Sequence, residues 1–333
     1  MGEIAERRAQ TESRIKVLRQ KLTAAEEIAA GKACVYATGS FGRGEASEYS
    51  DLDLFIVGKG SGRVGADGRE SSQLKRLDDI RIKSRLIEVT REMGIPEFSG
   101  DGRYLVHFSV PDFTKTLGAP EDDVTNTFTA RLLLLLESRP LVGDSAYREV
   151  LKQVVDAYWR DYADHKQNFM PAFLTNDILR LWRTFCVNYE ARTSRVPAEE
   201  KARGKIKNYK LKHSRLLTCY SALLYLLAVF ELRRTVTQDD VLAMIDLSPT
   251  QRLEWLRNEA VFVTAHAAVN KLIQQYEKFL ETTNVAEKVL VEKFMDKGSG
   301  KAYMDAAYTF GDSMYEALRI VGNNSKFYRL LVV

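Results

Sequence analysis

Cysteine is scarce in this chain: Cys34, Cys186 and Cys219 are the only three in 333 residues. Their wide separation and apolar surroundings argue against a disulfide framework or a zinc cluster and predict buried thiols in a reducing compartment. Long hydrophobic runs are missing too. The longest, residues 216–230 (LLTCYSALLYLLAVF), falls short of the roughly 18 residues that a spanning helix needs and is broken by Thr218, Tyr220 and Ser221, so it reads as a buried helix. Charge of one sign is also lacking. With 49 Lys and Arg against 45 Asp and Glu, the net charge of +4 does not by itself announce a nucleic-acid binder. Residues 1–32 alternate charges and small side chains without an apolar core, which predicts neither a signal peptide nor an anchor. The expectation is a cytoplasmic protein with no membrane partner.

What is present is ordinary globular composition at a length that suits two domains. Ile15, Leu18, Leu22 and Ile28 approximate helical spacing in residues 6–30. Short apolar runs at 33–38 and 52–57 predict strands. The glycine-rich stretch 58–68 predicts a mobile loop, 74–93 a helix stopped by Gly94 and Pro96, and 103–110 a third strand. Beyond Pro120 the pattern becomes long helical segments, interrupted by a polar, proline-containing interval at 191–212 that predicts an exposed loop. The expected fold is α+β, a small mixed sheet with helices followed by a mostly helical domain. The expected division is an N-terminal helix over 1–30, a sheet domain over 31–120 and a helical domain over 121–333.

The segment 39–54, GSFGRGEASEYSDLDL, carries the chemistry. A strand ending at Gly39 and Ser40 and leading into a helix start offers backbone N–H groups, a hydroxyl and a helix dipole to phosphate. Gly39 allows close backbone approach, and Arg43 either contacts phosphate or pairs with Glu45. Asp51 and Asp53, two apart at the start of a strand, direct both carboxylates to one face. Two like charges held together call for a cation, and such oxygen donors suit Mg²⁺ or Mn²⁺, whose shell is completed by water and substrate phosphates. The pair therefore predicts metal and nucleotide binding together. With two metals, an acceptor hydroxyl would attack the α-phosphorus in line and expel pyrophosphate.

This segment resembles the signature of the DNA polymerase β-like nucleotidyltransferase superfamily: glycine-serine, then aspartate-x-aspartate about ten residues on. The GRGE and SDLDL elements, with the stretch 108–144 ending LLLLLESRPLVGD, are most similar to the uridylyltransferase of the PII signalling protein and its bacterial relatives. The resemblance implies that Gly39 and Ser40 hold a nucleoside triphosphate and that Asp51 and Asp53 bind metal and catalyse transfer to a hydroxyl, on a protein first and an RNA end second. The same superfamily includes synthases of nucleotide second messengers. A degenerate nucleotide-sensing module is the third reading, because the family's third carboxylate is absent: Leu105 stands where it is expected. Asp101 is the nearest acid in phase, and His107 is a candidate base from the same face.

Residues 201–230 contain no acid, while Lys205, Lys207, Lys210 and Lys212 crowd their first half, which suggests a contact with a triphosphate tail or a nucleic-acid backbone. The alternative is a solvated basic loop. Trp159, Tyr162, Phe169, Phe173, Trp182, Phe185 and Tyr189 are expected to pack in the core. Gly298–Lys301 lacks the upstream glycine of a phosphate loop and reads as a turn.

Overall fold

The computed structural model describes residues 2–65, 70–98, 101–102, 105–191, 197–323 and 325–332. The chain divides into two compact units, one spanning Ala5–Arg160 and the other comprising Gly2–Ile4 and Asp161–Val333.

The first unit runs α1 (Glu3–Lys21), α2 (Thr23–Ala29), β1 (Ala33–Ala37), α3 (Gly39–Arg43), β2 (Leu54–Gly58), β3 (Gly60–Val64), β4 (Glu70–Ser72), α4 (Arg76–Glu92), β5 (His107–Ser109), α5 (Val110–Thr114), α6 (Glu121–Val124), α7 (Thr127–Leu136), β6 (Arg139–Val142) and α8 (Asp144–Tyr158). Its main sheet has the order β5-β2-β1-β6, with β1 antiparallel to β2 and β6, and β2 parallel to β5. The expected small mixed sheet is present.

Strands β1 and β2 are apolar at every position because both faces are covered. Ala33, Val35, Ala37, Leu54 and Ile56 join one cluster with Leu18 of α1, Leu22 between the helices, Ala25 of α2 and Ile82, Leu86, Val89 of α4. The alternate residues point the other way, as the period of two requires. There Tyr36 meets Phe55 and Tyr147, Phe55 meets Phe108, and the Tyr36 hydroxyl donates to the Ala130 carbonyl. This second face explains why the unit runs on to Arg160, past the change of pattern at Pro120. Helices α5, α7 and α8 cover the sheet, and β6, which periodicity did not reveal, closes its edge beside β1.

The glycine-rich segment after β2 is a hairpin rather than a loop over its described part. Strands β3 and β4 pair, Ser61 Oγ meets Ser71 Oγ at 2.7 Å, and the Gly62 N–H donates to Glu70 at 2.8 Å. Gly68 lies outside the described residues, as does Arg103 at the expected start of the third strand.

The second unit holds α9 (Ala172–Glu190), α10 (Ala198–Lys210), α11 (Leu216–Arg233), α12 (Gln238–Asp246), α13 (Pro249–Asn258), α14 (His266–Thr283), α15 (Glu287–Met295), α16 (Lys297–Val321) and α17 (Lys326–Val332). The polar interval expected as a loop is largely α10. Its Ala202, Ile206 and Tyr209 are buried at spacings of four and three, and the helix packs on α15. Residues 298–301 likewise sit within α16, not in a turn. The helix from Ala198 to Arg233 is long and apolar enough to cross a membrane, and 78% of its apolar window is buried inside the protein.

Between α10 and α11 the chain makes a π turn, Leu211–Arg215. It rotates His213 and Ser214 inward, where the imidazole is sandwiched between Phe279 at 4.6 Å and Phe310 at 5.0 Å and its Nδ1 donates to the Tyr209 carbonyl. Burial pushes His213 down to about 4 from an ordinary 6.5. The unfolded chain therefore binds a proton that the folded chain refuses. This contribution to stability is fully present above 6.5 and is lost as pH falls toward about 4, by up to about 3 kcal/mol. His213→Phe, which keeps a ring between the two phenylalanines, is expected to shallow the decline in denaturant midpoint across that window. An unaltered slope would contradict the assignment.

Candidate active site

Strand β1 ends at Ala37, opposite Leu54, and one further ladder bond runs from the Thr38 N–H to the Asp53 carbonyl at 2.8 Å. That pairing sets Asp53 beside the turn that follows β1. Gly39 occupies that turn with φ of +63°, a left-handed conformation that disfavours any side chain. A Cβ there would also lie 2.6 Å from Asp53 Oδ2. The glycine is required twice over, by its backbone and by the carboxylate held against it.

From Gly39 the chain makes the single turn of α3, then reverses at Gly44, and the Glu45 N–H donates to the Ser40 carbonyl. A tight Ser47–Ser50 turn, with the Ser47 N–H donating to Ser50 Oγ at 3.0 Å, brings the strand back. Leu52 is buried in the core, whereas Asp51 is half-buried and Asp53 exposed. Leu52 anchors the segment inward, and the Asp53 carboxylate lies beside Gly39. The structure thus places the Asp53 carboxylate against Gly39, with Ser40 and Asp51 next to them in the chain.

Arg43 takes the second of its two expected courses. It is buried, its Nε donates to Glu45 at 2.8 Å and its Nη1 to Glu137 at 2.9 Å, so the guanidinium braces the turn instead of reaching toward a phosphate. The N–H of Gly39 is also engaged, donating to the other oxygen of Glu137 at 3.1 Å, a correction to the idea of an unpaired amide there. Being only five residues long, α3 has little dipole to offer.

Glu137 is the residue that sequence reasoning missed. Its side chain is fully buried just after α7, and its own carbonyl would lie 1.9 Å from a Cβ at Gly42. The α3 turn and the Glu137 segment are therefore interlocked through two glycines and a carboxylate. A single acid at the end of five leucines was the available signal, since a charge so placed must find a buried partner.

The remaining candidates sit elsewhere. Leu105 is partly buried against the sheet's core cluster, and Asp101 is exposed in a turn with φ of +57°. His107 pairs with Ile56 in the ladder, and its Nε2 lies 3.0 Å from Ser72 Oγ, packed against Gly58 at the far end of β2 from Asp53. Burial pushes its imidazole below the ordinary value. His107 is a hairpin contact, not a base beside the aspartates. Lys205, Lys207 and Lys210 lie on α10 and Lys212 in the π turn, all in the second unit.

The donor chemistry fits a hard divalent cation. Among the described residues no group of three or more His, Cys, Asp or Glu side chains forms a self-sufficient metal cage. Asp51 and Asp53 would hold such a cation, with water and triphosphate oxygens supplying its remaining ligands, the usual habit of Mg²⁺.

Residues 18–98 match the family model of the nucleotidyltransferase domain. The match includes β1, the α3 turn, both aspartates and α4, and stops before β5 and Glu137. No curated protein and no solved structure matches the chain. The nucleotidyltransferase domain points to a transferase that draws on a nucleoside triphosphate.

Proposed function

We propose that the first unit binds a nucleoside triphosphate with Mg²⁺ or Mn²⁺ and transfers its nucleotidyl group to a hydroxyl acceptor, releasing pyrophosphate. The observation that carries this reading is the contact between Gly39 and the Asp53 carboxylate, next to Ser40 and Asp51. Asp51 and Asp53 would hold the metal, which neutralises charge on the triphosphate and lowers the pKa of the acceptor hydroxyl. Gly39 and Ser40 keep the backbone close to the phosphates, and Glu137 with Arg43 holds that backbone still. The likeness of GRGE, SDLDL and ESRPLVGD to PII uridylyltransferases favours a protein hydroxyl as acceptor ahead of an RNA end.

A second reading, nucleotide sensing without turnover, is favoured by Leu105, which fills the position of the third acid with an apolar contact. Incubation with each of four α-labelled triphosphates and Mg²⁺ or Mn²⁺, with and without cell extract as acceptor, separates the two. Label transferred to macromolecule, dependent on metal, supports the transferase. Tight triphosphate binding with no transferred label and no pyrophosphate establishes the sensor instead, and a small oligonucleotide made without acceptor points to second-messenger synthesis.

A further inference from the structure

Residues 44–53, which join α3 to β2 and carry Asp51 and Asp53, belong to neither helix nor strand. Backbone polar groups in such a stretch need partners from elsewhere once they are buried. Glu45, Ala46 and Ser47 are all buried, and α1 supplies a partner for each. Arg7 Nη1 donates to the Glu45 carbonyl at 3.0 Å, the Ala46 N–H donates to Thr11 Oγ1 at 2.9 Å, and Arg14 Nη1 donates to the Ser47 carbonyl. Positions 7, 11 and 14 stand four and three apart, so one face of the helix meets three consecutive residues of the loop.

Arg14 also reaches back to the α3 turn. Its guanidinium lies over the Phe41 ring at 4.7 Å, and Phe41 follows Ser40 in that turn. Thr11 is fixed in its turn by donating its hydroxyl proton to the Arg7 carbonyl at 2.7 Å, which leaves the lone pairs of its oxygen for the Ala46 N–H. Packing alone does not call for these residues. Ile15 and Leu18 of the same helix join the sheet's core cluster, whereas Arg7 and Thr11 are polar, buried side chains whose hydrogen bonds reach the loop. Arg7, Thr11 and Arg14 also precede residues 18–98, the stretch that matches the nucleotidyltransferase domain.

Mg²⁺ demands near-ideal octahedral geometry with ligands at about 2.0–2.1 Å, so carboxylates on an irregular segment serve it only where the backbone is held. Glu137 and Arg43 hold the α3 turn, and α1 holds the stretch beyond it. We infer that α1 is the positioning helix of the metal site: Thr11 and Arg14 set the path of residues 44–50 and thereby the placement of Asp51 and Asp53. This rests on the reading of the two aspartates as metal ligands, and neither Thr11 nor Arg14 is asked to touch metal or triphosphate.

The test is calorimetric titration of the full chain with the four ribonucleoside triphosphates, each at a series of Mg²⁺ concentrations, paired with melting curves. Thr11→Val keeps the shape and the charge and removes the acceptor for the Ala46 N–H. In protein fully folded at the temperature of titration, it should raise the Mg²⁺ concentration needed for half-maximal triphosphate binding about tenfold. Thr11→Ser, which restores the hydroxyl, should return the parental requirement. Arg14→Met, which keeps a stem over Phe41 and loses the donor, should raise the requirement in the same direction. Val89→Ala, at a buried position of α4 in the same core cluster, should lower the melting temperature and leave the Mg²⁺ requirement unchanged. An unaltered requirement in both Thr11→Val and Arg14→Met overturns the inference, while the parent's own binding upholds the site. A shift as large in Val89→Ala as in Thr11→Val overturns it too, since general loosening of the unit then suffices. A parent that binds no triphosphate with Mg²⁺ removes the site itself, and the inference falls with it.

Discussion

Asp53→Asn is expected to lower nucleotidyl transfer by on the order of 10³-fold or more while leaving the fold intact. The substitution keeps the shape of the side chain and removes half of the charge that would hold the cation. Asp53 is exposed and its backbone carbonyl still accepts from Thr38, so stability should stay within about 0.5 kcal/mol of the parent. A small gain is consistent too, since one of two neighbouring like charges is gone. Asp51→Asn should behave similarly, because it too removes one of the two charges that would hold the cation, while Leu52 between them stays buried. Initial rates at saturating triphosphate, paired with melting curves, read both quantities. A fall in melting temperature that accounts for the lost activity would move the aspartates from catalysis to structure.

Glu137→Ala is expected to do the reverse, costing about 3–5 kcal/mol of stability, because it strips a buried guanidinium of one of its carboxylates. Arg43 would keep Glu45, but its Nη1 and the Gly39 N–H would both lose the acceptor they now share. Glu137→Gln is the informative companion. It retains one oxygen and places an amide donor against either Gly39 or Arg43, for a cost of about 1–3 kcal/mol. At temperatures where this variant is folded, triphosphate should bind more weakly, since one group can no longer accept from both the Gly39 amide and Arg43. Urea unfolding and equilibrium triphosphate titration of the same preparations check the two effects separately. Stability unchanged in Glu137→Ala would show that Glu137 does not brace the turn.

These two outcomes reflect which parts of the molecule the sequence makes legible. Gly39, Ser40, Asp51 and Asp53 are readable because they lie within fifteen residues of one another, and the antiparallel return of β2 on β1 sets Asp53 against Gly39. The alternation around Leu52 is likewise a property of the strand itself. Glu137 and β6 are invisible to that logic because their partners are about a hundred residues away, and four residues of Arg-Pro-Leu-Val carry no periodicity of their own. Helix α10 was hidden by its polar composition, with Pro197 before it and Gly204 within it. Packing of Ala202, Ile206 and Tyr209 on α15 overrides that weak propensity. The hairpin of β3 and β4 was hidden for a similar reason: its glycines and serines suggest a loop until Ser61 and Ser71 are seen paired across it. His107 shares a strand face with Leu105 in the sequence pattern, yet the register with β2 carries it to Gly58, away from the aspartates.

Whether Gly39, Ser40, Asp51 and Asp53 form a metal–triphosphate site is decided by calorimetric titration of the protein with nucleoside triphosphates in the presence and absence of Mg²⁺. Binding is expected to require the metal and to be lost in a double Asp51→Asn, Asp53→Asn variant whose melting temperature is unchanged. Triphosphate binding that persists in that variant, or that is indifferent to removal of the metal, would contradict it.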